Sequence, residues 1–448
     1  MTQTLESLTK ALLDAAGKAG ADAADAIAVS GDSQSIEVLG GKLEHAERAE
    51  GIDIGLRVLI GQRQASVSAS DVRPETLHEM AERAVAMAKE APEDPYCGLA
   101  DPDQLATDTD AGTLELADPS DPPAAAELQE DALAAEAAAL AVEGVTQVQG
   151  AGAGYSHSKV WIAATNGFSG GYARTSRSIS CVAISGTGLE MERDYNGEGR
   201  VFGADLPDAA GIGRIAGERA VARAGAKKPP TGAFPVLFDE RISSGLIGHL
   251  LAAINGASIA RGSSWLKDAL GEQVLPEGLS LVEDPHRKRV SGSKLFDAEG
   301  LPTARRSIVD NGVLTGWVLD LATARRLGME STANAARWTS APPSPSVGNL
   351  ALTQGSESRE DLIALMGTGL IVTSLIGSSI NPNTGDYSRG ASGFWVENGV
   401  ITGPVNECTI AGNLREMLGS IRPANDGRAH LSRVVPSLLV EGLTIAGE

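Results

Sequence analysis

The order of apolar and polar residues along the chain changes between helical and strand-like spacing. Leucines at a helical spacing in residues 5–19, followed by Gly20, predict an amphipathic helix. The runs DAIAVS, SIEVLG, LEHAERAE, IDIGLRVLI and RQASVSAS then predict short strands, and a second helix is predicted to begin near Pro74. These elements predict a compact N-terminal α+β domain over residues 1–97.

The pattern changes after a connection rich in Asp, Pro and Gly. An Ala-rich helix at 124–143, alternating strands and a helix at 208–226 predict a central helix and strand-rich domain over residues 119–226. The sequence KKPPTG at 227–232 is typical of a linker, and a large β-rich C-terminal domain is predicted over 231–448. The fold class is therefore predicted to be α+β with extensive antiparallel sheet.

Two Asn-Gly pairs lie between strand-like runs in this C-terminal region. They occur in SIVDNGVLTGWV and FWVENGVITGPV, which share the core V-[DE]-N-G-V-[LI]-T-G. Both residues of a type I′ turn need a positive φ, and Asn-Gly tolerates this best. Tight hairpins are therefore predicted at Asn311-Gly312 and at Asn398-Gly399. Two copies leave open whether a shared hairpin or an internal duplication explains the similarity.

Composition narrows the possible functions. The chain has 448 residues and a formal charge of −21, which opposes binding to nucleic acid or to an anionic membrane. The three cysteines, Cys97, Cys181 and Cys408, are widely spaced without a CxxC pair, as expected in a reducing cytosol. No signal peptide or apolar membrane span is expected. The residues alone predict a cytoplasmic globular protein.

The six histidines offer little chemistry in the sequence. No two of them have the i, i+4 spacing of an HExxH zinc helix, and in HEMAER a glutamate takes the place of the second histidine. His249 lies at the edge of the apolar stripe of a helix predicted over 242–255. It is the one weak candidate for a catalytic residue, although a single histidine of this kind is more often a core-flanking residue.

A Gly- and Ser-rich segment near the C-terminus has two possible interpretations. It is either a backbone-lined groove that accepts an extended peptide or a set of tight turns between strands. The candidate groove residues are Gly377, Ser378, Ser379, Asn381, Gly390 and Ser392.

Several longer stretches resemble one known family. These are GIDIGLRVLIGQRQASVSASD, AATNGFSGGYARTS, LFDAEGLPTARRSIVDNGVLTGWV, NPNTGDYSRGASGFWVENGVITGPVNECTIAGNL and VPSLLVEGLTIAG. In this order they are similar to the TldD/PmbA family, from about residue 24 onward. The ending and the helix GHLLAAINGASIARGSSWL are closer to the PmbA (TldE) branch than to TldD.

The resemblance implies a subunit of a cytosolic peptidase. In this family a TldD subunit supplies zinc through an HExxxH helix and a later cysteine, and a TldE/PmbA subunit pairs with it. The pair is associated with degradation of unstructured peptides, peptide maturation and antitoxin turnover. The expected partners are thus a TldD-like subunit and an unfolded peptide, with no nucleic acid and no membrane, and a homodimer when the chain is isolated is left open.

The chain departs from the zinc-binding pattern at the helix that should carry it. Leu250 follows His249 where a glutamate would stand, and neither Ala253 nor Ile254 can be the second ligand. Cys408 is the only late cysteine. The expectation is that this chain holds no metal or other cofactor, that zinc belongs to the TldD-like partner, and that His249 caps or flanks its helix.

Two other functions stay open from the sequence. The first is an independently active metallopeptidase whose ligands are scattered, such as His249, His286 and Cys408. The second is a non-enzymatic regulatory binding protein, for example a modulator of a toxin–antitoxin or topoisomerase system. The first predicts bound metal and hydrolysis without a partner, and the second predicts a stable target complex without a TldD-like chain.

Overall fold

The computed structural model describes residues 4–448, so the first residues of the predicted domain 1–97 lie outside the described residues. Helix α1, Leu5–Ala19, begins where the Thr4 hydroxyl accepts a hydrogen bond from the Ser7 amide and ends at Gly20, whose φ is 98°. Helix α2 spans Pro74–Glu90. Both helices bury their apolar faces against the N-terminal sheet.

The strands of this sheet are longer than the predicted runs. DAIAVS and SIEVLG belong to one strand, and LEHAERAE and IDIGLRVLI to another, so the prediction of separate short strands was wrong. The residues between the runs do not end the strands. In β2, residues 42–51 are exposed on both faces, so no buried face demands alternation there. The first three strands are β1 Ala23–Leu39, β2 Lys42–Ile60 and β3 Arg63–Ala69.

The central region continues the same sheet. Strand β1 pairs with β2 on one side and with the first central strand on the other, in the order β3-β2-β1-β4-β5-β6. The boundary predicted between 1–97 and 119–226 therefore falls between segments that share a sheet, and it stays a prediction. The central elements are α3 Ala125–Leu140, β4 Val145–Ala164, β5 Ser169–Ser185, β6 Glu192–Arg200 and α4 Ala209–Ala222.

The two faces of β1 contact different layers. Ala26 packs with helices α1 and α2, and Ile36 packs with α3 and α4, so both helix pairs cover one face of the sheet. Ile27 points to the opposite face, where it contacts a cluster that contains Phe168 and Phe296. Because side chains alternate along a strand, β1 joins the helical layer to the C-terminal region.

The C-terminal region is built on a closed sheet. Its strands run in the order β16-β15-β14-β7-β19-β17, and a further pairing of β16 with β19 closes the circle. Strand β7 is parallel to β14 and antiparallel to β19. The elements are β7 Gly232–Phe238, α5 Glu240–Ala253, α6 Gly256–Ala260, β8 Leu281–Glu283, β9 Arg306–Asp310, β10 Val313–Leu314, α7 Leu321–Leu327, β11 Ala335–Ala336, β12 Ser344–Pro345, β13 Leu350–Leu352, α8 Arg359–Met366, β14 Gly369–Ile380, β15 Asp386–Glu397, β16 Val400–Asn413, α9 Leu414–Gly419, β17 Arg422–Pro423, β18 Arg433–Val434 and β19 Leu438–Ala446.

Both predicted hairpins are confirmed. Asn311 and Gly312 have φ values of 48° and 84° and connect β9 to β10. Asn398 and Gly399 have φ values of 52° and 76° and connect β15 to β16. The α+β fold class with extensive antiparallel sheet is confirmed as well.

The predicted linker packs against the closed C-terminal sheet, which forms a β-barrel. The Lys227 amide donates to the Pro404 carbonyl at 3.1 Å, and the Lys228 ammonium lies 3.6 Å from the Glu407 carboxylate. These contacts tie the segment between α4 and β7 to β16. Among residues 4–448, no helix is both long enough and apolar enough to cross a membrane.

Candidate functional site

Helix α5 follows directly from the barrel strand β7. The Asp239 carboxylate caps its first turn by accepting from the Arg241 amide at 3.3 Å, and the helix then buries Leu246, Ile247, Leu250 and Leu251 in the main C-terminal core. The periodicity that predicted this stripe is confirmed. The helix thus places His249, which is partly buried, at the border of this core.

His249 is half-buried against strand β15. Its ring lies edge-on to the Tyr387 ring, with the centroids 5.7 Å apart. Burial, and secondarily the charge of Arg389, lowers the pKa of His249, so the neutral imidazole is favoured. Burial also raises the pKa of Tyr387 to about 12. The C-cap of α5 is Ile254, so His249 does not cap the helix; it lies within α5, at the border of the buried stripe.

The residues near His249 do not fit a zinc ion. Leu250 and Ile254, at the positions of the glutamate and second histidine in HExxxH, are fully buried in the apolar core. Among residues 4–448, no group of three or more His, Cys, Asp or Glu side chains could hold a metal ion. A zinc site needs at least three protein ligands.

The scattered ligands of the independent-peptidase hypothesis do not share an environment. The His286 ring nitrogen lies 3.1 Å from the Thr303 hydroxyl, in the loop after β8. The Cys408 thiol donates to the Ala391 carbonyl at 3.2 Å, and burial raises its pKa. Neither contacts His249, so nothing in this geometry brings the three side chains together.

The Gly- and Ser-rich segment forms the β14–β15 hairpin. Gly377 has a φ of 67°, and the register of β14 on β15 shifts between Ile376 and Ser379, which marks a bulge. Arg389 spans this bulge, because its Nε donates to the Gly377 carbonyl at 2.6 Å. The interpretation as turns between strands thus describes the local structure.

Part of this hairpin is also a free sheet edge. Strand β7 pairs with β14 only at Leu370, Ile371 and Val372, and then turns into α5. From Thr373 to Ile380, β14 therefore has β15 as its neighbour on one side and no strand on the other among the described residues. Such an edge presents backbone groups that an extended peptide can pair with.

The six candidate groove residues divide into three environments. Gly377, Ser378 and Ser379 lie exposed on the free-edge strand. Asn381 belongs to the hairpin turn, where its carbonyl accepts from the Gly385 amide at 2.9 Å. The other two, Gly390 and Ser392, lie on β15 behind the edge.

A cavity of about 690 Å³ lies beside the start of this edge, between the central sheet and the barrel. Thr373 and Ser374 line it from the barrel side. Arg223 lines it from α4 and donates to the Ser392 hydroxyl at 2.8 Å. Glu192 of β6 completes this part of the wall, 3.5 Å from the Arg223 guanidinium.

A charged network that the sequence did not predict holds the two regions together here. The Arg241 guanidinium of α5 lies 3.0 Å from Asp194 of β6, and Arg428 lies 3.0 Å from Glu198 of the same strand. Arg428 also lies 2.9 Å from Glu240 of α5. These partners are far apart in the chain, and no local spacing could have identified them.

The comparisons with known proteins cover nearly the whole chain. Family models described as the PmbA/TldA metallopeptidase domain 1, central domain and C-terminal domain match residues 24–88, 118–224 and 231–447. The metalloprotease PmbA of Escherichia coli O157:H7 is 36% identical over 448 residues, which span 99% of this chain and 96% of that protein.

Two solved structures are similar to this chain over nearly its whole length. A Bacteroides thetaiotaomicron protein, described as a proposed modulator of DNA gyrase, is 29% identical with a TM-score of 0.90 over 99% of this chain and 100% of its own. TldE of Thermococcus kodakarensis, at 21% identity, shares the fold with a TM-score of 0.84 over 98% of this chain and 100% of its own. The chain therefore belongs to the PmbA/TldD metallopeptidase family.

Proposed function

We propose that this chain is the PmbA/TldE-like subunit of a two-chain cytosolic zinc metalloprotease that degrades unstructured peptides. In this proposal the zinc is bound by a TldD-like partner, where it polarises the scissile carbonyl and activates water. This chain contributes part of the peptide-binding surface and stabilises the partner.

One observation carries the proposal: α5 offers a single possible ligand. His249 is held against Tyr387, and the next positions of the zinc pattern, Leu250 and Ile254, are fully buried core residues. Replacing these with a glutamate and a histidine would place polar groups in the core, at a cost in stability. These positions of α5 therefore serve to pack the core, which supports a role for this chain other than binding the zinc.

The free edge of β14 supports a role in substrate capture. A peptide that adds as a strand beside Thr373–Ile380 would be bound mainly through its backbone, so its side chains would be read weakly. This mode requires an unfolded substrate, because a folded chain has already paired its backbone groups. It suits an enzyme that cleaves unstructured peptides of varied sequence.

The test is reconstitution with metal analysis. The purified, dialysed chain is assayed for zinc by elemental mass spectrometry and for hydrolysis of an unstructured peptide, alone and mixed with a TldD-like chain carrying HExxxH. We expect almost no zinc in this chain and hydrolysis only in the mixture. One zinc per chain together with hydrolysis by the isolated chain would establish the independent metallopeptidase instead, and the His249→Ala variant would then show whether His249 is a ligand.

A second candidate, a non-enzymatic regulatory binding protein, is favoured by the description of the Bacteroides relative as a proposed gyrase modulator. It requires a stable complex between this chain and DNA gyrase in the absence of any TldD-like chain. Size-exclusion chromatography of the mixed proteins tests this, and separate elution of the two would eliminate the candidate.

A further inference from the structure

Strand β2 of the N-terminal sheet has a long free edge. It pairs with β1 from Lys42 to Leu59 except at Glu44, but β3 pairs with it only from Ile54 onward. Residues 42–53 therefore have a strand neighbour on one side and none on the other among the described residues. Every residue from Lys42 to Glu50 is exposed.

Within this edge, residues 45–53 form an uninterrupted stretch of regular strand. The pairing with β1 shifts at Glu44, because His45 faces Glu37 while Leu43 faces Val38. From His45 to Asp53 the register runs without a break. Side chains alternate regularly between the two faces only over this stretch, so only it offers a straight edge for pairing.

A second copy of the same edge could pair with it only in certain registers. In an antiparallel pair, hydrogen-bonded and non-hydrogen-bonded residue pairs alternate, so a two-fold axis must pass through a residue that faces itself. The registers that pair five or more residues of 45–53 are centred on Glu47, Arg48, Ala49, Glu50 or Gly51.

The charges select one of these registers. Centring on Glu47, Arg48 or Glu50 places that charge directly opposite itself, and centring on Gly51 forms no opposite-charge pair. Centring on Ala49 uses the whole stretch from His45 to Asp53. In that register the facing pairs are Arg48 with Glu50, His45 with Asp53, Glu47 with Gly51, Ala46 with Ile52, and Ala49 with itself.

We propose that two copies of this chain associate through the β2 edges, with Ala49 facing Ala49 on the two-fold axis. The arrangement joins the two N-terminal sheets into one continuous sheet and forms two Arg48–Glu50 pairs and two His45–Asp53 pairs. It also covers an edge that is otherwise open to non-specific pairing. This inference goes beyond the proposed function and does not depend on it.

The experiment uses charge reversal, because all the altered side chains are exposed and folding does not depend on them. Arg48→Glu places a new carboxylate opposite Glu50 of the other copy, and Glu50→Arg places a new guanidinium opposite Arg48. Sedimentation velocity over a range of concentrations should show a dimer for the parent chain and a dissociation constant at least about tenfold weaker for either variant. Arg83→Glu and Glu79→Arg, exposed on α2, are matched controls that should leave the dimer unchanged.

Mixing the two variants gives the decisive result. In the mixed pair, the two carboxylates of the R48E copy face the two guanidinium groups of the E50R copy, so a heterodimer should form from two chains that each dimerise poorly. The double variant R48E/E50R should also regain self-association. A parent chain that stays monomeric, a dimer unaffected by either reversal, or association only with a TldD-like chain would overturn the proposal.

Discussion

Gly55 of β2 lies directly beneath the backbone of Thr339, so close that a Cβ atom at position 55 would stand 2.2 Å from the Thr339 carbonyl oxygen. The contact joins the N-terminal sheet to the segment after β11. Gly55→Ala should therefore displace this segment, since backbone atoms cannot swing aside as a side chain can. We expect a loss of about 1–3 kcal/mol in the free energy of unfolding, measured by urea denaturation.

The matched control is Gly150→Ala in β4, because a Cβ atom there meets nothing within 4 Å. The control should unfold at nearly the same urea concentration as the parent chain. Equal stability of the Gly55 and Gly150 variants would contradict the close contact.

A buried carboxylate stabilises the same junction. Asp25 of β1 accepts from the Nε of Arg57 at 2.7 Å and also pairs with Arg337, whose remaining Nε and Nη2 atoms have no partner among the described residues. Asp25→Asn would leave two buried cations without a counter-charge. We expect a loss of about 3–5 kcal/mol in the free energy of unfolding.

The control for this change is Glu218→Gln, which removes one partner of the exposed Arg214–Glu218 pair on α4. Exposed ion pairs contribute little to the free energy of unfolding, so the thermal unfolding temperature of this variant should match that of the parent. A similarly mild effect of Asp25→Asn would show that Arg57 and Arg337 are compensated by other groups.

Glu299 should make stability fall as the pH rises. Burial, and then the neighbouring charges of Asp297 and Asp320, raises the pKa of Glu299 to about 8 from its ordinary 4.5. Between these values the folded chain holds a proton that the unfolded chain releases, so unfolding becomes easier with rising pH, by up to about 1.4 kcal/mol per pH unit. Urea midpoints between pH 6 and 9 measure the slope.

Glu299→Gln should flatten this dependence. The Glu299 carboxylate accepts a hydrogen bond from the Leu321 amide at 2.8 Å, and the side-chain oxygen of a glutamine can accept the same bond. Glutamine carries no charge, so its burial does not depend on pH. Burial also raises the pKa of Asp297, so part of the dependence of stability on pH should remain in the Glu299→Gln variant. A pH profile identical to that of the parent would contradict the role of Glu299.

His249 is expected to matter for packing and not for hydrolysis. His249→Ala removes the edge-on contact with Tyr387, for an expected loss of about 1 kcal/mol in stability. In the reconstituted pair, kcat should stay at the parent value. His286→Ala serves as a comparison, and a large fall in kcat for His249→Ala alone would instead place His249 in the catalytic machinery.

The free edge of β14 should affect the capture of peptide. Ile376 is 76% exposed on this edge, and Ile376→Asp would place a charge beside the added strand. The expected result is a KM raised about threefold or more at unchanged kcat. Val400→Asp, at a site 64% exposed on β16 away from the edge, is the control.

Substrate chemistry gives an independent check of the same edge. A peptide N-methylated at alternate residues cannot donate the backbone hydrogen bonds of a strand, so its KM should also rise. Michaelis constants that respond to neither the Ile376 change nor N-methylation would exclude strand addition at β14.

Much of the fold can be predicted from local sequence patterns. The helical spacing on α5 correctly placed Leu250 in the core and His249 at its border, because that information lies within a few turns of one helix. The Asn311-Gly312 hairpin was predictable for the same reason, since the turn geometry depends on the two residues themselves.

Contacts between distant segments were not predictable. The pairing of Ile410 in β16 with Ile445 in β19 closes the barrel. The sequence of each strand predicts a strand, but it does not indicate which other strand it pairs with. The Arg241–Asp194 ion pair is invisible for the same reason. The free edge of β14 likewise depends on where β7 stops, which no residue of the Gly- and Ser-rich segment encodes.

The barrel closure also sets the order in which the protein can be assembled during translation. Strand β7 has β14 and β19 as its sheet neighbours, and both are synthesised long after Phe238 has left the ribosome. In the N-terminal sheet, by contrast, β1, β2 and β3 follow one another directly in the chain, so each can pair soon after its synthesis. In the nascent chain, the apolar strand β7 therefore has no sheet neighbour until Leu370 emerges, and its second edge stays unpaired until Leu438 emerges.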